Sequence, residues 1–76
     1  MNAVRRARIR DVIEQIKTLE RTVSRILNEE KAAYENLPDN IEHSAFSDSS
    51  RYAVGCLEEA CGSLIHAVDA LEKVQV

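Results

Sequence analysis

The sequence predicts an all-α fold, an antiparallel hairpin of two long helices that dimerises into a four-helix bundle. Apolar residues recur at alternating steps of three and four positions in two long stretches, which is a heptad pattern. The chain has one Pro and two Gly, so it has few places to turn. Its one Phe, two Tyr and no Trp require an aliphatic core. This composition favours a few long helices over a sheet.

The first helix is predicted over residues 3–36. A second apolar row follows the heptad seam and widens the apolar face, which then suits more than one neighbour. Glu20 interrupts that second row, and Glu30 occupies a seam position where an apolar residue is due. Pro38 cannot continue the helix. The seam consists of Ile9, Val12, Ile16, Leu19, Val23 and Ile26, followed by Ala33 and Leu37, and the second row consists of Ile13, Leu27 and Tyr34.

The second helix is predicted over residues 44–74, after a turn at 37–43. Beside its seam runs a row of mostly small residues, which lets another helix approach closely. The connection is short, so the two helices are antiparallel neighbours. The seam consists of Val54, Leu57, Cys61, Leu64, Val68 and Leu71, and the small row of Ala53, Ala60, Ala67 and Val74.

A hairpin made by joining the two seams places Leu19 near Cys61 and Glu30 near Arg51. It also leaves the second row of helix 1, Ile65 and the alanine row in water. Ordering 76 residues costs on the order of 100 kcal/mol at roughly 1.5 kcal/mol per residue, which two single stripes do not offset. We therefore expect residues 1–76 to form one domain that is a homodimer, or a hairpin completed by another protein.

The charges divide unevenly along the chain. Residues 1–27 carry seven Lys or Arg against three Asp or Glu, and residues 28–76 carry three against ten. We expect the basic start to pair with Asp69 and Glu72 in the folded hairpin. The alternative is a site for an acidic partner such as nucleic acid, although no aromatic residue is interleaved for base stacking. The candidate residues are Arg5, Arg6, Arg8 and Arg10.

The sequence offers no catalytic set, so an enzyme is not expected and no cofactor is implied. Cys56 and Cys61 lie too far apart around one helix to bridge to each other, and no metal-ligand spacing is complete. Gly55 and Gly62 lie on one stripe of helix 2. They indicate either a close approach by another backbone or simple tolerance of exposed glycine.

The turn resembles that of a known group of proteins. The segments Glu35–Glu42 (ENLPDNIE), Ser50–Tyr52 and Leu57–Ala60 are similar to small helical-hairpin proteins of unknown function from bacteria and phages. These proteins have an N-L-P-[DE]-N-[IL] turn and an acidic, alanine-rich second helix. The resemblance covers residues 33–74, and the sequence departs from it at Ala45–Asp48. It implies a helical hairpin of prokaryotic or mobile-element origin and no activity.

Three functions from different classes remain as hypotheses. The first is a protein-interaction module, such as a phage or mobile-element regulator or inhibitor that binds a larger protein. The second is a nucleic-acid accessory protein that uses the arginine cluster, and the third is a structural or assembly subunit. No apolar run reaches the ~18 residues of a membrane span, and no signal-peptide core precedes the arginines, so we expect a cytoplasmic protein.

Overall fold

The computed structural model describes residues 1–37 and 45–75, with the side chains described from residue 47 onward in the second range, and shows an all-α hairpin. Helix α1 spans Ala3–Glu35 and helix α2 spans Ala45–Lys73, against predicted ranges of 3–36 and 44–74. The helices pack against each other in a rod of 60 × 14 × 14 Å. The predicted turn at 37–43 lies outside the described residues from Pro38 on.

Side-chain and backbone caps define both ends of α1. The Asn2 side chain accepts a hydrogen bond of 2.8 Å from the backbone N–H of Arg5, which satisfies one of the free donors of the first turn. At the other end, the N–H of Leu37 donates to the carbonyl of Tyr34 at 3.2 Å. This tightened last turn ends the helix just before Pro38.

The face of α2 that packs on α1 is the predicted one. Cys61 and Val68 are buried, and the other seam residues Val54, Leu57, Leu64 and Leu71 are half-buried. Ile65 is 51% exposed, as expected for a residue outside the seam. α2 therefore has one stripe of large apolar residues, and that stripe packs on α1.

The predicted face of α1 is wrong. Ile13 and Leu27, expected to lie outside the hairpin core and to be covered only in a dimer, are the buried residues of this helix, at 6% and 8% exposure. Val12, Leu19 and Ile26, expected in the seam, are 43%, 56% and 47% exposed. Leu19 therefore lies outside the hairpin core that Cys61 joins. Ile9, Ile16 and Val23 are half-buried and belong to both stripes.

Polar contacts accompany the rotation of α1 toward its second row. Lys17 pairs with Glu72 at 3.7 Å, and Lys31 pairs with Glu58 at 3.6 Å, both on the side of the hairpin that holds Ile13 and Leu27. On the same side, Arg51 donates to the Tyr34 hydroxyl at 2.9 and 3.3 Å, and its guanidinium lies 5.8 Å from the ring centroid. If α1 packed through the row of Val12, Leu19 and Ile26 instead, Ala33 would take the position against α2 that Tyr34 occupies.

Two further contacts fix the register of the helices. The Glu30 carboxylate accepts a hydrogen bond of 2.7 Å from the Ser50 hydroxyl, so the polar seam position is met by the residue before the predicted Arg51. Near the chain termini, the Gln75 side-chain amide donates to the Arg6 carbonyl at 2.9 Å. These contacts align α1 and α2 in antiparallel order along their whole length.

Candidate interaction surface

The rotation of α1 leaves an apolar row without a partner in the hairpin. Val12, Leu19 and Ile26 are spaced by seven residues, and each is more than two-fifths exposed. At 3.6 residues per turn, this row lies about a quarter turn from the buried Ile13 and Leu27. Exposed large apolar residues in a contiguous row are typical of an interaction surface rather than of a solvated helix.

The small row of α2 borders the same side of the hairpin. Ala53, Ala60 and Ala67 are half-buried and Val74 is 44% exposed. By the helix period, this row flanks the α2 seam on the side away from Glu58 and Glu72. We use the name uncharged face for the surface formed by Val12, Leu19 and Ile26 of α1, Ala53, Ala60 and Ala67 of α2, and Val74 directly after α2.

The neighbours of these rows are also uncharged over most of the rod. On α1 the adjoining row between Val12 and Ile26 consists of Gln15 and Thr22. On α2 it consists of small residues only: Ser49, Cys56, Ser63 and Ala70. No Asp, Glu, Lys or Arg interrupts the centre of the surface. In contrast, the opposite side of the hairpin holds the ion pairs of Lys17 with Glu72 and of Lys31 with Glu58.

Charges flank the uncharged face at both ends of α1. Arg5 and Arg8 lie before Val12 and form a surface depression with Ile9 and Val12. Glu29 and Glu30 follow Ile26. Arg5, Arg8 and Glu29 are exposed, and Glu30 is half-buried against Ser50. The surface is therefore positive at one end, neutral in the middle and negative at the other.

The expected pairing of the arginine cluster with α2 is wrong. Glu72 pairs with Lys17, and within residues 1–37 and 45–75 no carboxylate lies within ion-pair distance of Arg5, Arg6, Arg8 or Arg10. All four arginines are exposed. By the helix period Arg5 and Arg8 border the uncharged face, and Arg6 and Arg10 lie on the other side of α1. The cluster therefore surrounds the helix rather than forming one basic patch.

The two glycines of α2 have no close neighbour in the hairpin. A Cβ atom built on Gly55 or Gly62 meets no heavy atom within 4 Å beyond its own helix. Both residues are exposed and helical. Within the hairpin, no backbone makes the close approach that was the first of the two interpretations drawn from the sequence. The glycines lie on the flank of α2 away from the uncharged face.

The cysteines and the possible metal ligands occupy ordinary positions. Cys61 is a buried core residue and Cys56 is exposed, and both thiols are free. His66 and Asp69, three residues apart, are exposed on α2. In the described part of the chain no group of three His, Cys, Asp or Glu side chains could hold a metal ion.

The uncharged face has a sequence signal that a search for heptad seams passes over. On α2, every position from Ser49 to Val74 at alternating steps of four and three carries a small or apolar uncharged side chain. In a chain with 30% charged residues, a row that excludes charge over about seven turns indicates a second packing surface. Residue size alone identifies the alanine row, whereas only the packing of the two helices places the apolar row of α1 beside it.

Comparison with known proteins adds no relative: no family model, curated protein or solved structure matches the chain. Among the described residues, neither helix is both long and apolar enough to span a membrane.

Proposed function

We propose that the protein is a small non-enzymatic protein-interaction module that binds helical protein surfaces through the uncharged face. The observation that carries this proposal is the exposed row Val12, Leu19 and Ile26 beside the small row of α2. A helix docks into such a surface because apolar side chains lose contact with water, and small residues let the backbones approach.

The shape of the molecule supports binding rather than catalysis. The hairpin is a rod 14 Å thick, so its surface has grooves between helices rather than a deep cleft. Ligand sites for small molecules are concave and enclose most of the ligand. A long, flat, uncharged surface fits another protein helix better than it fits a small substrate.

The proposal is tested with one substitution on the uncharged face and a matched control. Leu19→Asp places a charge in the centre of the surface, while Asn28→Asp places the same charge on an exposed residue about half a turn from Leu19 around α1. Both variants should keep the helical circular dichroism of the wild type, because both side chains are exposed in the hairpin. Self-association and capture of a host protein should be lost with Leu19→Asp and retained with Asn28→Asp.

Binding that survives Leu19→Asp, or that both variants abolish equally, would remove the uncharged face as the site. Capture is measured by affinity pull-down from a host lysate, and self-association by sedimentation. Both readouts are needed because a module of this kind binds a copy of itself or a different protein through the same chemistry.

A second candidate function, binding of nucleic acid, is favoured by the four arginines that lack carboxylate partners in the described chain. Their distribution around α1 and the net charge of −3 weaken it. Titration of a mixed-sequence duplex at low salt tests it. Phosphate contacts predict affinity that falls by roughly one power of salt concentration per contact, and that disappears when the four arginines become Gln.

A further inference from the structure

We propose that the occupant of the uncharged face is a second copy of this chain, bound about a two-fold axis that passes beside Leu19 and perpendicular to the rod. In this arrangement α1 packs antiparallel to α1 of the second copy, and α2 antiparallel to its own counterpart. The inference rests on the proposed function, since it names the partner of the same surface.

The pattern of α1 is self-complementary about Leu19. Val12 and Ile26 lie seven residues before and after it. When two α1 helices cross antiparallel at this point, Leu19 meets Leu19, and Val12 meets Ile26 of the second copy. A surface that binds its own copy about a two-fold axis must have this property.

The pattern of α2 is self-complementary as well. Its small row is centred between Ala60 and Ala67, so each of them meets the other residue of the second copy. Ala53 then meets Val74 in the same way. Alanine at facing positions allows two helices to pack at the short end of the usual 8–10 Å separation.

The two centres lie at nearly the same height in the hairpin. Ile65, close to the centre of the α2 row, lines one surface depression with Lys17 and Glu20, which stand on either side of Leu19 along α1. One two-fold axis therefore satisfies both helices at once. The sequence of either helix alone does not require the two centres to lie at the same height. The register between the helices brings them there.

The charges select this arrangement over the other two-fold choice. Arg8 and Glu29 lie about equally far from Leu19 on opposite sides, so the proposed dimer brings Arg8 of each copy beside Glu29 of the other. An axis parallel to the rod would instead place Arg8 at the same height as Arg8 of the second copy, and Glu29 at the same height as its own counterpart. That arrangement lacks the two attractive pairs between Arg8 and Glu29.

The elongated shape leaves room for an interface of standard size. The hairpin exposes 5719 Å². A compact monomer of 8.5 kDa is expected to expose about 4,650 Å². The excess of roughly 1,000 Å² is distributed over the whole rod, and each partner buries ~800 Å² in an interface of standard size.

Charge exchange with mixing tests the proposal directly. Arg8→Glu alone and Glu29→Arg alone should each weaken the dimer roughly ten-fold, because each turns two attractive pairs into two repulsive ones. An equimolar mixture should form a heterodimer as tight as the wild type, since every pair is attractive again. Arg10→Glu is the matched control, with the same change of net charge on the opposite side of α1, and should leave the dissociation constant within about two-fold.

A cysteine at Leu19 gives an independent measurement on a chain whose charges are unchanged. In a Cys56→Ser background, Leu19→Cys should form a disulfide-linked dimer under mild oxidation, because the two thiols meet at the axis. Arg25→Cys, on the exposed side of α1, should form no disulfide-linked dimer under the same conditions. Circular dichroism of every variant separates lost association from lost folding.

The outcomes distinguish the two proposals. A wild type that sediments as a monomer at high concentration, yet captures a host protein in a Leu19-dependent manner, overturns the second copy and leaves the interaction module standing. A dimer that the Arg8 and Glu29 exchange does not restore on mixing overturns the proposed axis. A wild type that neither self-associates nor captures protein through Leu19 overturns both.

Discussion

The neighbouring residues Ile26 and Leu27 should differ strongly in their contributions to hairpin stability. Leu27 is 8% exposed, so Leu27→Ala removes buried apolar contact and leaves a cavity, at a cost of about 2–4 kcal/mol. Ile26 is 47% exposed, so roughly half of its side chain is already in water and no closed cavity forms. Ile26→Ala should therefore cost about 1 kcal/mol in the isolated hairpin.

The assay is urea denaturation followed by circular dichroism over a range of protein concentrations. The cost of Leu27→Ala should be large at every concentration, because the lost contacts are within one chain. The cost of Ile26→Ala should grow as concentration rises and the second copy binds. At the lowest concentration, a larger cost for Ile26→Ala than for Leu27→Ala would refute the observed rotation of α1 and restore the seam predicted from the heptad.

Four shorter predictions follow from single features. Gly55→Ala and Gly62→Ala should each raise the free energy of unfolding by about 0.5–1 kcal/mol, because the added methyl meets no neighbour and the helix gains propensity; a loss would indicate a backbone packed on this flank. Asn2→Ala should lower it by about 1 kcal/mol through loss of the bond to the Arg5 N–H, whereas Asn2→Asp should retain most of it. Adding reductant should leave Tm unchanged since both thiols are free, and a marked drop would reveal a disulfide between chains. The wild-type Tm should rise with protein concentration, and a constant value would indicate a monomer.

The sequence was sufficient to predict the hairpin and the buried stripe of α2. One proline separates two heptads, and α2 has a single row of large apolar residues at seam spacing, so only that face could supply the large apolar residues that pack on α1. The stripe of Cys61 and Val68 follows from this pattern. Helix number, order and direction therefore rest on features that local sequence determines.

The packing face of α1 could not be chosen in the same way. Its shared positions, such as Ile16 and Val23, form a valid heptad seam with Leu19 on one side or with Ile13 and Leu27 on the other. The spacing of the apolar residues fits both stripes of α1 equally well. The choice depends on contacts between helices, such as Tyr34 with Arg51, which require the register before they can be evaluated.

The candidate interaction surface was only partly predictable for the same reason. The expectation that the alanine row adjoins another helix came from residue size alone and remains a prediction. The partner row on α1 was assigned to the hairpin core, so the two halves of the surface were not recognised as neighbours. Likewise, the sequence predicts an ion pair of Glu72 with the arginines, because the position of Lys17 beside Glu72 depends on the rotation of α1.

Because the rod is thin, a substitution or local unfolding should affect mainly the neighbouring layers of side chains. In a body 14 Å across and 60 Å long, each side chain touches only the layers next to it, and no central residue is shared by all. Ile13 and Leu27 lie about 21 Å apart along α1 at 1.5 Å per residue, beyond the range over which substitutions usually couple. Their effects should add, and opening at one end should leave the other end protected in hydrogen exchange. The hairpin would then unfold progressively, one layer of side chains at a time. The hydrogen bond from the Gln75 side-chain amide to the Arg6 carbonyl would stabilise the end near the chain termini.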